Sequence, residues 1–585
     1  MTESPNMTET DTPAPASGAE SSLGSGLVLD IDRRTARAVL FESVEGQGRF
    51  IAAAETPSTL MPPFDAAAVA VRAVLQSISE QTGIELLSEG ALTMPRSGYA
   101  GVDFFAVTGQ PATPTRLALV STGAHPLTPA LLAVARNTVT IVESFDQQVR
   151  TADGALSGAE LEAALREFQP DTVVLLAGES TQADWPTAVG TLGTLLHEGI
   201  ASQAVILGSD QLQQAAIQAL GENANLMGLD PGQYEAADVV GAVEAELTGA
   251  YEQRIEPASL GPMPAQVAFI GRGRAAELVT RFLARRRGQR VLSVGMSDGT
   301  LLYWSDAHQS AGVIRPDFDV SLNIKALLRL NARQALDLLP FTMSEEDLHN
   351  WVLNRALRPT SVAATARDEA IESAIAGLFV RHAWEDLTSV AGDQVDMIVG
   401  GPQFAGWSSP ALGVLSLLNA VQPTPGDGVV EVVLDAEGLL GAAGAIGEFS
   451  PALAADAVEH DLALPAATVI VVAGSGVEGD LALRGEMRYE AGDTLNFSVP
   501  YGSVHMLPLM DGARATIRLD CEPEYTIGGQ QHVEFGEGQL RGGSLGIIID
   551  ARGRPLTSSN DASLRAGRVA NWLSDLGVGG EEHGA

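Results

Sequence analysis

Short apolar strands alternate with amphipathic helices through the middle of the chain, and this alternation constrains the fold more than any other feature. The apolar runs 171–177 (DTVVLLA) and 204–207 (AVIL) stand between helical patterns at 158–168, 184–199 and 210–220. Apolar strands that are each followed by a helix are typical of a parallel sheet with both faces covered. The sequence therefore predicts the α/β fold class.

Antiparallel strand patterns flank this region on both sides. Residues 27–30, 36–42 and 49–56 form three apolar runs joined by close turns, and 290–294 with 300–304 predict a hairpin around 295–299. Further helices are predicted at 63–80, 275–286, 321–338, 344–356, 366–386 and 438–449, with a strand at 395–399. Each half of the chain is thus expected to contain a strand–turn–strand unit beside α/β elements.

The C-terminal region has a different pattern. Between about 465 and 551, short strands follow one another at close spacing and are broken by Gly, Pro and Asp, which predicts a small all-β barrel or sandwich. A last amphipathic helix is predicted at 563–576. The first 25 residues are rich in Thr, Ser, Pro and Glu and are interpreted as a disordered acidic tail.

Composition excludes several classes of function. The net charge of -38 argues against nucleic acid and against anionic membrane surfaces as partners. No apolar run reaches about 18 residues, the length of a membrane-spanning helix, and the N-terminal segment lacks a secretory pattern. Cys521 is the only cysteine. Together these features predict a cytoplasmic location. Lys325 is the only lysine and follows no glycine loop, which excludes a Walker A motif.

Three turns carry residues suited to phosphate or nucleotide chemistry. Asp30 and Thr35 bracket the turn DIDRRT, where a strand-end carboxylate and a hydroxyl are suited to a metal-bound phosphate. Residues 295–300 (GMSDGT) form the second turn, and Gly400-Gly401 after a strand allow close approach of a flat ligand. An ordinary polar turn remains the alternative for each. The string 271–276 (GRGRAA) resembles a dinucleotide loop and is interpreted as a helix N-terminus packed on a sheet.

The order of these segments resembles one family. The sequence DID..TARAVLFE, then RLALVSTGAHPLTPALLAVARNTVTIVESF at 116–145, then PDTVVLLAGESTQADWP at 170–186, is similar to the MutL-type accessory protein of glutamate mutase. The resemblance covers about 26–455. It implies an actin-like, duplicated ribonuclease H-like ATPase fold with two lobes, ATP with magnesium as cofactor, and a protein partner, an adenosylcobalamin-dependent mutase.

The resemblance also implies nucleotide-binding roles by position. Asp30, Asp32 and Thr35 would belong to the first phosphate hairpin, with Asp30 holding magnesium through water. The second hairpin would comprise Ser297, Asp298, Gly299 and Thr300, and the adenosine turn Gly400 and Gly401. Two departures argue against hydrolysis: Asp32 occupies a glycine position, and Gly295 stands where the family has an aspartate.

Together these predictions divide the chain into five parts and leave three functions open. The parts are the tail (1–25), a first actin-like lobe with inserted α/β units (26–263), a second lobe (264–460), an all-β domain (461–555), and a C-terminal helix and tail (556–585). The leading function is a nucleotide-binding accessory protein that supports or reactivates a mutase-like partner. The alternatives are a pseudo-ATPase scaffold that binds a protein through the β-domain, and a small-molecule kinase of the same superfold.

Overall fold

The computed structural model describes most of the chain between residues 24 and 578. The gaps within that range are 62, 65, 110–112, 138–139, 146–148, 152–153, 179–183, 222–225, 255–259, 262–267, 298, 390 and 463–464. Nearly all of the predicted N-terminal tail, the final residues 579–585 and the candidate site residue Asp298 therefore lie outside the described residues.

The first sheet is mixed and has five strands in the order β3-β2-β1-β6-β12. Strands β1 to β3 form an antiparallel meander, whereas β6 runs parallel to β1, and β12 parallel to β6. The elements are β1 (Ser25–Ile31), β2 (Thr35–Val44), β3 (Gln47–Pro57), α1 (Ala68–Thr82), the short pair β4 (Leu87–Ser88) and β5 (Ala91–Leu92), β6 (Phe104–Gly109) and, after the insertion, β12 (Ala268–Phe269). The last strand of this sheet thus lies beyond the boundary predicted at 263.

Between β6 and β12 an inserted unit forms a second, wholly parallel sheet. Its order is β8-β7-β9-β10-β11, as the alternating sequence pattern predicts. The elements are β7 (Thr115–Ser121), α2 (Thr128–Asn137), β8 (Thr140–Phe145), α3 (Gly158–Phe168), β9 (Thr172–Leu176), α4 (Asp184–His197), β10 (Gln203–Leu207), α5 (Asp210–Leu220), β11 (Leu226–Leu229) and α6 (Ala236–Glu252). Strands β9 and β10 are buried at every position, because helices cover both faces of the sheet.

The third sheet repeats the strand order of the first. Its first five strands follow the order β15-β14-β13-β16-β17, with an antiparallel meander β13–β15 and two parallel neighbours. The elements are α7 (Arg272–Arg287), β13 (Val291–Met296), β14 (Thr300–Ser305), β15 (Ser310–Arg315), α8 (Arg333–Leu336), α9 (Glu345–Ala356), α10 (Ala366–Thr388), β16 (Met397–Gly400), α11 (Pro402–Ala405), α12 (Pro410–Val421), β17 (Val429–Leu434), α13 (Leu439–Ile446) and α14 (Pro451–Ala457). Two sheets of identical topology within one chain define the duplicated, actin-like fold, as predicted.

The predicted helix at 321–338 is not continuous. A 3₁₀ helix occupies Ile324–Arg329, and the four-residue helix α8 follows it. Leu330 between them has an extended backbone, and the side chain of Asn331 accepts a hydrogen bond from the backbone N–H of Arg333 at 3.2 Å. This contact of the Asn331 side chain lies at the break between the two helices.

The strand-rich C-terminal region continues the second lobe's sheet. Strands β18, β26 and β22 extend that sheet beyond β17 to eight strands, and a separate antiparallel sheet has the order β21-β20-β23-β25. The elements are β18 (Ala467–Val471), β19 (Ala473–Gly474), β20 (Leu481–Tyr489), β21 (Thr494–Pro500), β22 (Val504–Leu507), β23 (Ala515–Cys521), β24 (Tyr525–Thr526), β25 (His532–Phe535), β26 (Ile547–Asp550) and helix α15 (Ala562–Asp575). Leu483 and Leu519 of the four-stranded sheet share one core with Ile470 and Ile549 of the extension, so the two sheets form a sandwich across the boundary predicted at 461.

Helices α7 and α13 lie between the first sheet and the second lobe's sheet and join the lobes. Their core combines Val28 and Phe41 of the first sheet with Val399 of the second lobe, around Leu283 of α7 and Ile446 of α13. Burying one such side chain contributes about 1.5–3 kcal/mol. This shared apolar layer fixes the two lobes on either side of a cleft. Among the described helices, none has the length and apolar character needed to cross a membrane.

We expect Gly444→Ala to destabilise this junction, because a Cβ at position 444 would lie 2.0 Å from the carbonyl oxygen of Ala275. Forcing such a contact lowers the free energy of unfolding by about 1–3 kcal/mol. Gly441→Ala in the same helix is the matched control, since a Cβ there meets no atom within 4 Å and alanine favours the helix by up to about 1 kcal/mol. Urea denaturation of the two variants measures the difference; equal stabilities would contradict the close packing of α7 on α13.

Candidate functional site

The two predicted turns face each other across the cleft between the lobes. Asp30, Asp32 and Thr35 from the β1–β2 turn and Ser297 from the β13–β14 turn line one cavity of about 210 Å³. A smaller adjoining cavity of about 80 Å³ is also lined by Asp30 and Ser297. The juxtaposition predicted for the two turns is therefore present, whereas the nucleotide-binding roles of their residues stay predictions.

Asp32 is turned back onto its own hairpin. It is only 3 % exposed, and its Oδ1 accepts hydrogen bonds from the backbone N–H groups of Arg34 and Thr35, both at 2.7 Å. Burial acts to raise the pKa of Asp32, but Arg272 and these two N–H groups outweigh it and hold the pKa below its usual value. The carboxylate thus occupies the amides that a glycine at this position would leave open to a phosphate.

Arg272, the first residue of helix α7, connects the two hairpins. Its Nη2 donates to Oδ1 of Asp30 at 2.9 Å and to Oδ2 of Asp32 at 3.2 Å. Its Nη1 donates to the backbone carbonyl of Ser297 in the opposite hairpin at 2.6 Å. The side chain is 12 % exposed, so this charge is largely removed from solvent. One guanidinium therefore joins both turns at the position where they approach each other.

The second hairpin keeps its glycine at position 299 but has glycine instead of an acid at position 295. Gly299 has a φ of +136°, and a Cβ there would lie 2.8 Å from the carbonyl oxygen of Arg315, so the turn requires glycine. Gly295 has no such requirement, because a Cβ at that position would meet only Leu301 at 3.8 Å. The absence of a carboxylate at position 295 is thus a chemical difference that the backbone does not impose.

Two predicted site residues have structural roles instead. Thr300 is fully buried, and its hydroxyl donates to the carbonyl of Phe318 at 2.8 Å rather than facing the cleft. Gly400 points into the core, where a Cβ would lie 2.7 Å from Leu417. Gly401 is different: it lines the smaller cavity, as the interpretation of this turn requires.

A second connection between the lobes was not predicted. Arg34 of the first hairpin donates to Oε1 of Gln403 at 3.0 Å, and Nε2 of Gln403 donates to Glu372 at 2.7 Å. Glu372 is buried and is paired with buried Arg355 at 3.0 Å. Burial raises the pKa of Glu372, although Arg355 and Arg34 oppose the shift. These partners come from α9, α10 and α11, which is why no local motif indicated them.

Asp435 was also missed, although its sequence context carries a signal. It follows strand β17, is buried, and accepts from the backbone N–H groups of Leu439 at 2.8 Å and Leu440 at 2.7 Å. Burial raises the pKa of Asp435, and these N–H groups partly offset that rise. An acid between an apolar strand and an apolar helix is a helix-start pattern. Asp435 lines the smaller cavity with Arg272.

The side chains present do not fit a magnesium-bound triphosphate. Asp30, the predicted magnesium ligand, is paired with Arg272, and the first hairpin's amides already bind Asp32. Within the described residues, no group of three or more His, Cys, Asp or Glu side chains is placed to hold a metal ion. The candidate site is therefore a cleft between two hairpins in which the protein's own acids pair with one arginine.

Comparison with known proteins gives distant resemblances. No protein-family model matches the sequence, and no curated protein matches it. Among solved structures, a carbohydrate kinase from Novosphingobium aromaticivorans is 13 % identical over 73 % of this chain and 93 % of its own, with a TM-score of 0.25. Porphyromonas gingivalis acetate kinase is 11 % identical over 73 % and 100 %, with a TM-score of 0.24. The Aquifex aeolicus Ppx/GppA phosphatase is 11 % identical over 64 % and 67 %, with a TM-score of 0.18. At these values the assignment of the fold rests on its strand order.

We expect Asp32→Asn to lower the free energy of unfolding at pH 7 by about 1–3 kcal/mol, because it removes a buried charge that pairs with Arg272. Asp520→Asn is the control, since Asp520 is 72 % exposed and its pairing with His532 contributes little. Chemical denaturation of both variants and the parent protein measures the effect. A loss no larger than that of the control would show that the buried carboxylate is not stabilised by its partners.

We also expect the stability difference between the parent protein and Asp32→Asn to depend on pH. Because folding lowers the pKa of Asp32 from its usual 3.8, its stabilisation is complete above 3.8 and is lost as pH falls through the lower folded value. The stability difference between the parent protein and Asp32→Asn should therefore be constant above pH 5 and shrink below about pH 4. A difference that grows on acidification would contradict the direction of the shift.

Proposed function

We propose that the chain is a pseudo-ATPase scaffold: an actin-like protein whose interlobe clamp is closed by its own ion pairs instead of a metal–nucleotide. The observation that carries the proposal is the bridge from Arg272 to Asp30, Asp32 and the Ser297 carbonyl. In an actin-like cleft, a ligand that contacts both hairpins couples the lobes. Here a residue at the junction of the lobes supplies those contacts.

Electrostatics support the same conclusion. A phosphate entering the cleft would meet more acids than arginines, because the same cavity is lined by Asp30, Asp32, Glu55, Glu369 and Glu372 and by Arg34 and Arg37. It would also have to displace Asp32 from the hairpin amides and Arg272 from two acids. Each broken buried contact costs about 1–3 kcal/mol, so several together would consume much of the binding energy of a typical ligand.

The proposed partner is a protein, and the sequence resemblance to the glutamate mutase accessory family makes an adenosylcobalamin-dependent mutase the first candidate. The predicted cytoplasmic location is part of this proposal. The four-stranded sheet of β20, β21, β23 and β25 is the candidate binding module. Its outer face carries acidic and basic side chains that pair with each other, such as Arg518 and Glu534 at 3.0 Å. Such a face suits a polar protein surface better than an apolar one.

A nucleotide-binding accessory protein is the second candidate. The two adjoining cavities share Asp30 and Ser297, and Gly401 lies beside the backbone of Val294, as a close-packed ligand turn would require. This function needs Arg272 to leave both acids before nucleotide enters. A small-molecule kinase needs, in addition, a free catalytic base, and the buried acid Glu372 is already engaged by Arg355 and Gln403.

Nucleotide titration separates the first two candidates. For the parent protein we expect no measurable heat with about 1 mM ATP and magnesium, whereas a micromolar Kd, about −8 kcal/mol, would overturn the scaffold proposal. The triple variant Asp32→Gly, Gly295→Asp, Arg272→Ala opens the first hairpin and restores the missing acid. We expect this variant to gain magnesium-dependent ATP binding, provided that its circular dichroism matches that of the parent protein.

Partner binding tests the second half of the proposal. With a purified adenosylcobalamin-dependent mutase immobilised, a scaffold should bind with the same Kd in the presence and absence of magnesium-ATP. Arg518→Ala with Glu534→Ala on the outer sheet face should weaken the complex, and Arg166→Ala on the inserted unit is the matched surface control. A Kd that changes tenfold or more with ATP would favour the nucleotide-driven accessory function.

A further inference from the structure

Three arginines surround a small cavity beside the C-terminal helix, away from the interlobe cleft. The cavity has a volume of about 60 Å³ and is lined by Arg381 of α10, Arg565 and Arg568 of α15, with Asp337 as its one acidic lining residue. One water needs about 10–15 Å³ of such volume, so the cavity admits a small polyatomic group. In a chain of net charge -38, this concentration of positive charge is unusual.

The acids near the cavity neutralise two of the three arginines. Arg565 pairs with Asp337 at 2.8 Å, and Arg568 pairs with the half-exposed Glu478 at 2.5 Å. Arg381 has no carboxylate within ion-pair distance among the described residues. It donates from Nη2 to the backbone carbonyl of Asn419 at 2.6 Å. One guanidinium is thus held at the cavity without a counter-ion.

Four shielded polar atoms of residues that line the cavity have no hydrogen-bond partner among the described residues. Two are donors, Nε of Arg381 and Nε of Arg565, and two are acceptors, Oε1 of Gln334 and Oδ1 of Asp337. Burial lowers the pKa of Arg381, with Glu385 and Asp337 only partly offsetting it. A guanidinium whose shielded Nε is an unused donor indicates that an acceptor carrying negative charge belongs beside it. The Gln334 amide can turn its nitrogen toward the same acceptor, because the two orientations of an amide are interchangeable.

We propose that this cavity binds a small oxyanion, either inorganic phosphate or a carboxylate, held chiefly by Arg381 with Arg565 and Arg568. Guanidinium groups present planar pairs of N–H donors that match the oxygens of phosphate and carboxylate. The volume excludes a nucleotide. Because α8, α10 and α15 all contribute lining residues, the bound anion fastens the C-terminal helix to the second lobe.

Thermal unfolding at constant ionic strength tests the site. Titration with sodium phosphate or sodium acetate, with sodium chloride making up the ionic strength, should raise the Tm of the full-length protein saturably relative to chloride alone. The two titrations distinguish phosphate from carboxylate as the preferred anion. Calorimetry with the stronger anion should give one site, and Arg381→Gln should weaken it at least tenfold. Arg381→Lys keeps the charge but loses the planar donors, so its anion affinity should lie between that of the parent protein and that of Arg381→Gln.

Two controls make the outcome decisive. Arg518→Gln, on the outer face of the four-stranded sheet, should leave anion affinity unchanged, and Arg272→Gln tests whether the anion binds in the interlobe cleft instead. If Arg272→Gln abolishes anion binding while Arg381→Gln retains it, the anion occupies the cleft and the inference is wrong. The inference is also wrong if phosphate, acetate and chloride give equal Tm values. Chloride-only melting curves of each variant establish that the protein is folded.

Discussion

One guanidinium joins the two hairpins that face each other across the cleft. Arg272 donates to two carboxylates of the first hairpin and to a backbone carbonyl of the second, within 3.2 Å in every case. Removing three charged groups from water is costly unless each one is paired and hydrogen-bonded. That condition is met here, because Asp32 also accepts from two amides of its own turn. The cleft is therefore held by contacts that are fully made within the chain.

The apolar layer beneath the cleft determines where these contacts form. Helix α7 starts at Arg272 and then packs against α13 so closely that Gly444 has no room for a side chain. Its N-terminus is thereby fixed between the two hairpins, and the guanidinium has little freedom to leave. The pair of Arg34 and Gln403 adds a second polar connection on the opposite side of the first hairpin. Apolar packing sets the geometry of the lobes, and the polar contacts make that geometry specific.

Sequence reasoning predicted the elements that depend on local pattern. The strands and both hairpins followed from apolar runs and turn residues, and the facing of the two hairpins followed from the recognised order of segments. It did not predict which side chains point into the cleft. Thr300 starts a strand, and its hydroxyl turns inward to donate to the backbone carbonyl of Phe318, which is 18 residues away. Arg272 lies in the string 271–276, which was interpreted only as a helix N-terminus packed on a sheet, so its contacts with both hairpins were not predicted. Glu372 and Gln403 are 31 residues apart and meet only in the folded chain. The contacts of Asp32 with the backbone N–H groups two and three residues later could have been predicted, because an aspartate side chain in a turn commonly accepts hydrogen bonds from the amides that follow it.

Under the proposed scaffold function, the charge arrangement of the cleft would take the place of a bound triphosphate. In such a cleft, a bound nucleotide supplies negative charge that the hairpin amides and a metal ion balance. In this chain Asp32 accepts hydrogen bonds from two amides of the first hairpin, and the guanidinium of Arg272 is the cation that faces Asp30. The glycine at position 295 is consistent with this arrangement, since a carboxylate there would add negative charge to a cavity that Arg272 also lines. One electrostatic arrangement thus accounts for Asp32, Gly295 and Arg272 together. The two departures from the phosphate motifs need not be independent losses of phosphate-binding residues.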